Sequence, residues 1–171
     1  MNALKDLEFA VVSGRITISD PCYEEISERL NCEIKAKKGT WKAEVDYNDE
    51  YRCKNLIASC LDFNKLDVKR MKNFGIGVDS GQAGVFDSQH YRDDKVVENC
   101  QRIHGEIICE DEPWYSICCD RTLSKDNAGS IPYGVVSSSG YGDGCYDVMI
   151  YYNEKEEAIK VEIEFIDEDN S

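Results

Sequence analysis

Apolar and polar residues alternate with a period of two along much of the chain, and this alternation predicts β-strands. The clearest case surrounds a turn at Lys38-Gly39, where polar residues separate Cys32, Ile34, Ala36, Trp41, Ala43, Val45 and Tyr47. A similar pattern around Ser13-Gly14 predicts another hairpin over residues 7–19. Near the end of the chain, Ile159, Val161, Ile163 and Phe165 alternate with charged residues. That last strand predicts an antiparallel sheet with one solvated face.

The remaining segments complete a mainly β pattern. Further strands are predicted at 51–61, 135–136 and 145–152, with a loop or a single helical turn at 62–73 and a loop at 124–132. Helical spacing predicts short helices at 24–30, at 93–104 before Gly105, and from Pro113 onward. We therefore expect an α+β fold, mainly β, as an antiparallel sheet or two-sheet sandwich with two or three short helices. Residues 1–171 are expected to form a single domain with an acidic tail at 167–171.

Charge narrows the classes of partner. The 171 residues include 34 acidic and 20 basic side chains, for a net charge of -14. Because nucleic-acid binding depends on basic side chains that displace counterions, it is unlikely for this chain. An acidic protein that imitates the charge of DNA remains open, as does another protein partner.

The cysteines bear on the compartment. There are nine, and the first residues contain neither an apolar leader nor a small-residue cleavage site. No run of about eighteen apolar residues is present, so no membrane span is expected. We expect a cytoplasmic protein with reduced thiols. Zinc sites usually use spaced cysteine pairs, whereas the only close pair here is the adjacent Cys118 and Cys119. No metal or cofactor is predicted.

Residues 75–87 stand apart from the ordinary strands. They hold four glycines and two aspartates among small and apolar residues, a composition typical of a strand–turn–strand with a close backbone approach. Two other segments resemble them: Asp20-Pro21-Cys22-Tyr23, and residues 140–146 with Gly142-Asp143-Gly144. Each of the three lies at a predicted strand end, where loops on a rigid scaffold carry function.

We expect ligand-binding residues in these segments, namely Asp20, Tyr23, Asp79, Ser80, Gln82, Asp87, Tyr141, Asp143 and Tyr146. If the strand ends meet, the four aspartates could line one pocket, where crowded carboxylates share protons or hold a hard cation. Glycine amides could instead form a nest for an anion, and tyrosines could stack on a base or sugar. The alternative is that these aspartates and glycines only form turns. Catalysis by Cys22 or Cys145 with His90 or His104 is a further alternative.

The same segments resemble an uncharacterised domain-of-unknown-function family of bacteria and their phages. The residues that carry the resemblance are Asp20-Pro21-Cys22-Tyr23, Gly77-Val78-Asp79-Ser80-Gly81-Gln82-Ala83-Gly84 and Gly142-Asp143-Gly144 with Tyr146. It would span residues 11–166, and it implies a bacterial or phage protein. An accessory or anti-defence role of such a protein is suggested by analogy alone. The family brings no established activity or catalytic residues.

Three functions follow as hypotheses. The first is a small-ligand binding protein with a polar pocket at the glycine and aspartate loops, a nucleotide-like molecule being one candidate. The second is a metal-assisted hydrolase that uses the clustered aspartates. The third is an acidic protein–protein inhibitor or DNA mimic.

Overall fold

The computed structural model describes residues 3–167, and it contains two antiparallel sheets and one α-helix in that range. The first sheet has the strand order β1-β4-β5-β11-β10-β6, and the second has the order β3-β2-β7-β9-β8. The strands are β1 (Ala3–Val11), β2 (Arg15–Ser19), β3 (Cys32–Lys35), β4 (Gly39–Tyr47), β5 (Cys53–Cys60), β6 (Arg70–Val78), β7 (Gln82–Asp87), β8 (Ala128–Ile131), β9 (Gly134–Ser138), β10 (Gly144–Tyr152) and β11 (Ala158–Glu164). The helix α1 spans Pro113–Thr122, and short 3-10 turns lie at Phe63–Lys65, Ser88–His90 and Asp94–Val97. The mainly β, α+β prediction is confirmed.

The main core lies between the two sheets. Trp41 and Ile163 of the first sheet and Ile16 and Val85 of the second belong to one cluster of fully buried side chains. The alternation in β4 and β11 has the physical basis that the sequence indicated, because every second residue packs into this core. Burying a large aliphatic side chain contributes about 1.5–3 kcal/mol relative to exposure.

The predicted hairpins around Ser13-Gly14 and Lys38-Gly39 are wrong, because the chain crosses between the sheets at both turns. β1 belongs to the first sheet and β2 to the second, while β3 belongs to the second and β4 to the first. The turn within residues 75–87 also crosses, from β6 to β7. Alternation shows only that each strand has one buried face. The same alternation arises whether the next strand pairs with it in one sheet or packs against it from the other sheet.

A third layer covers the outer face of the second sheet. Trp114, Ile117 and Cys118 of α1 pack with Phe86 of β7 and Val136 of β9 in a second buried cluster. The helix predicted from Pro113 is therefore confirmed. The rings of Phe86 and Trp114 meet edge to face with centroids 5.1 Å apart.

Four local predictions are wrong in whole or in part. Residues 24–30 form turns, and the helix predicted at 93–104 is reduced to the 3-10 turn at Asp94–Val97. The Asp120 carboxylate binds the backbone N–H groups of residues 103–105, so these donors are not available to helical hydrogen bonds. Part of the predicted loop 124–132 is strand β8. The segment 62–73 contains the predicted single turn at Phe63–Lys65, but its last four residues belong to β6.

Apart from Asp167, the predicted acidic tail lies outside the described residues. Within residues 3–167, no helix combines the length and apolar character that a membrane crossing requires.

Candidate functional site

Three loops meet at one end of the sandwich, and they contain most of the predicted site residues. They are residues 20–23 after β2, residues 79–81 between β6 and β7, and residues 139–143 between β9 and β10. β6 and β10 pair as far as Val78 opposite Gly144, so Asp79 and Asp143 follow directly at this end. The backbone N–H of Ser139 donates to the carbonyl oxygen of Gly81 at 3.0 Å. We call these three segments the loop end.

Asp20 joins two of these loops through its carboxylate, which is fully buried. Its Oδ2 accepts from the backbone N–H groups of Asp79, at 2.8 Å, and Ser80, at 2.6 Å. Its Oδ1 accepts from the Ser80 hydroxyl, at 2.6 Å, and from the N–H of Cys22, at 2.9 Å. Four donors satisfy the carboxylate, so Asp20 stabilises the loops and leaves little capacity for a metal or a substrate.

Asp79 and Asp143 are exposed beside Tyr23, which is partly buried. Burial raises the pKa of Tyr23 to about 12, with further contributions from Cys22, Asp20, Asp79 and Asp143. Burial and the neighbouring carboxylates of Asp20 and Asp79 raise the pKa of the Cys22 thiol to about 12 as well. Tyr23 therefore stays neutral beside two exposed carboxylates at neutral pH.

Gln82 and Ser80 connect the loop end to α1. The Gln82 amide nitrogen lies 3.2 Å from Ser80 Oγ and 3.4 Å from Cys119 Sγ, and its Oε1 accepts from Thr122 Oγ1 at 2.7 Å. Gln82 is 2% exposed. Gln82 thus orients the Ser80 hydroxyl from the side of α1, and a ligand in solvent would not reach Gln82 itself.

Tyr146 and Tyr141 have different surroundings. The Tyr146 hydroxyl lies 2.6 Å from the carbonyl oxygen of Gly142 and 3.0 Å from that of Ser139, which closes the β9–β10 loop. Tyr141 is exposed, its hydroxyl donates to Glu50 at 3.0 Å, and the Arg52 guanidinium lies over its ring. Tyr146 shapes the loop end, while Tyr141 is directed toward the β4–β5 turn.

Asp87 does not join this group. β2 and β7 pair with Ile16 opposite Asp87 and Ser19 opposite Gly84, so Asp87 and Asp20 lie at opposite ends of the strand pair, about 14 Å apart. Asp87 Oδ1 accepts from the N–H groups of Val12 and Ser13 and from the Ser13 hydroxyl. Within residues 3–167, its buried Oδ2 has no hydrogen-bond partner. Asp87 holds the β1–β2 crossing, and the pocket of four aspartates does not form.

Sequence reasoning missed the role of Tyr91 and Arg92. The Tyr91 hydroxyl lies 2.6 Å from the carbonyl oxygen of Tyr23, and Arg92 donates to the carbonyl oxygen of Pro21. Arg92 also pairs with Glu112 at 2.7 Å. These contacts fix residues 20–23 from the outer layer. Arg92 has a positive φ of 58°, which no local sequence signal announces.

The described residues do not bring together the groups that a metal site or a cysteine–histidine pair would need. Across residues 3–167, no three His, Cys, Asp or Glu side chains are grouped so that they could hold a metal ion. His90 stacks on Tyr133 and contacts Asp93, and His104 lies 3.7 Å from Glu106. A thiol with the raised pKa of Cys22 is a weak nucleophile at neutral pH.

The fold and the loop end together define an antiparallel β-sandwich whose loops are joined by a buried carboxylate. The family model for "Protein of unknown function (DUF4241)" matches residues 43–163, and the chain belongs to this family. The match contains Asp79, Asp87 and Asp143, whereas Asp20 precedes it. No curated protein and no solved structure matches the chain.

Proposed function

We propose that this protein binds a ligand at the loop end and that the ligand presents a positively charged group to Asp79 and Asp143. The proposal rests on the different surroundings of the three aspartates. Buried Asp20 satisfies the donors of the turn, whereas Asp79 and Asp143 are exposed beside a neutral tyrosine. Two carboxylates and an aromatic ring suit an amine or a guanidinium, through ion pairing and cation–π contact.

The same charges argue against the other ligands considered. A nucleotide could stack its base on Tyr23, but its phosphates would face two carboxylates. A metal-assisted hydrolase would need the Asp20 oxygens, which four protein donors already occupy. A small cationic molecule and a Lys or Arg side chain of a partner protein share the favoured chemistry. We infer that the chain is a single-domain accessory protein of a bacterium or phage. Its nine free thiols are consistent with a reducing cytoplasm.

A thermal-shift panel tests the proposal. Spermidine, arginine and a Lys/Arg-rich peptide would each be compared with nucleotides, with and without EDTA. We expect one of the cations to raise the melting temperature in the presence of EDTA. A response to the peptide alone would indicate a protein partner, and a response to a free amine would indicate a small molecule.

Two double variants locate the binding. D79N with D143N should abolish the shift, whereas E98Q with E110Q removes two exposed charges outside the loop end and should preserve it. A shift produced only by nucleotides would contradict the proposal. An equal loss in both double variants would also contradict it, because net charge alone would then explain binding.

A further inference from the structure

The opposite end of the sandwich has the reverse charge. A depression of about 560 Å³ lies where the β1–β2 crossing, the β3–β4 crossing and the β10–β11 hairpin meet. Its charged lining consists of five basic side chains and one acidic side chain, in a chain with 34 acidic and 20 basic residues. The basic residues are Arg15, Lys35, Lys37, Lys38 and Lys155, and the acidic residue is Glu157. We call this surface the basic depression.

Backbone hydrogen bonds fix the segments that supply these lysines. The N–H of Ala36 donates to Gly14 at 2.8 Å, and the N–H of Lys37 donates to Ala158 at 3.0 Å. The Lys35 ammonium donates to the carbonyl oxygen of Lys155 at 3.3 Å, which joins the β3 end to the β10–β11 turn. The positive charges are thus held together by the fold and do not depend on one mobile loop.

Some of these charges have no counter-ion among residues 3–167. Arg15 pairs with Glu33 at 2.8 Å and Lys37 pairs with Asp62 at 3.2 Å. Within residues 3–167, no carboxylate lies within 4.0 Å of the ammonium groups of Lys38 and Lys155. Like charges brought together without partners repel each other, which an anionic ligand would relieve.

We propose that the basic depression binds a compact ligand with two or more phosphate groups. Its volume falls in the range of small-molecule sites, about 300–1,000 Å³. Lysine ammonium groups are effective point charges for phosphate. A short polyphosphate would interact mainly with these lysines, because charges farther away than a Debye length of about 8 Å are screened at physiological salt. A long nucleic acid would also meet the acidic remainder of the surface, so the charge distribution favours the compact ligand.

Calorimetric titration with inorganic tripolyphosphate at physiological ionic strength tests this proposal. We expect saturable binding that weakens as salt is added. K38Q with K155Q should weaken it by about tenfold or more, because two charge-assisted contacts are lost. K95Q with K125Q changes the net charge equally at exposed lysines outside the depression and should leave affinity within about twofold.

Three results would overturn the proposal: no binding at millimolar tripolyphosphate, an equal loss in both lysine double variants, or affinity for a single-stranded oligonucleotide that rises with its length. Circular dichroism would establish that each variant is folded. The D79N and D143N double variant should bind tripolyphosphate as well as the unmodified protein does. The two sites are therefore tested independently.

Discussion

Asp20→Asn is the most informative single substitution, because it removes a charge but preserves side-chain size. The carboxylate accepts four hydrogen bonds, two from backbone N–H groups of Asp79 and Ser80 and two at its other oxygen. An asparagine whose oxygen faces Asp79 and Ser80 places its NH₂ group against the N–H of Cys22. One hydrogen bond is then lost, a donor faces a donor, and three others lose their charge assistance. With about 1.5–3 kcal/mol for a hydrogen bond to a charged group, we expect a loss of about 2–4 kcal/mol.

Urea unfolding followed by tryptophan fluorescence would measure this loss. With an m-value of about 2 kcal/mol/M, the midpoint should fall by about 1–2 M without a change in slope. The matched control is D79N, at an exposed position, which should change stability by about 0.5 kcal/mol or less. A loss for D20N below about 1 kcal/mol, or equal to that of D79N, would refute the view that Asp20 holds the loop end together.

Four further outcomes follow from the same geometry. Asp87→Asn should cost about 1.5 kcal/mol or less in urea unfolding, because the new NH₂ group can occupy the position of an oxygen that has no hydrogen-bond partner among residues 3–167. Burial opposes ionisation of the Asp120 carboxyl, but three backbone N–H groups and the adjacent arginine outweigh burial and lower its pKa. The ionised carboxylate should therefore stabilise the fold fully above pH ~4, and this stabilisation should be lost as the pH falls through the lowered pKa. D120N should accordingly flatten the acid limb of a pH–stability curve. Cys22 should resist iodoacetamide at pH 8 in the folded protein, where roughly one thiol in ten thousand is ionised, and should react after denaturation, as mapped by mass spectrometry. D79N with D143N should melt at or above the temperature of the unmodified protein, because the substitutions remove like charges from exposed positions.

The fold class could be predicted from the sequence because burial of one face makes apolar residues recur every two positions in a strand and every 3.6 positions in a helix. Trp41, Val45 and Ile163 are buried as their alternation predicted, and α1 begins at Pro113. Strand partners were not accessible from this pattern. The residues around Ser13-Gly14 satisfy a hairpin and a crossing equally well, and the choice depends on contacts with strands far away in the chain.

The candidate site divides in the same way. Composition identified Asp20, Asp79 and Asp143, since glycine and aspartate at strand ends are a local signal. Their arrangement depends on hydrogen bonds between residues 59 and 60 positions apart in the chain. Asp87 had the same local signal as Asp79, yet it binds residues 74 and 75 positions away at the other end. Only the strand register separates the two, and the local sequence does not encode it.

Asp20 and Asp87 act as a pair on opposite ends of the same two strands. Each is fully buried and binds two consecutive backbone N–H groups of a crossing between the sheets, β6–β7 for Asp20 and β1–β2 for Asp87. Because these carboxylates satisfy the crossings, the exposed side chains beside them are free of that structural task. Asp79 and Asp143 at one end, and Lys38 and Lys155 at the other, are exposed beside these crossings. These exposed charges, negative at one end and positive at the other, are the groups that the two proposed ligands of opposite sign would bind.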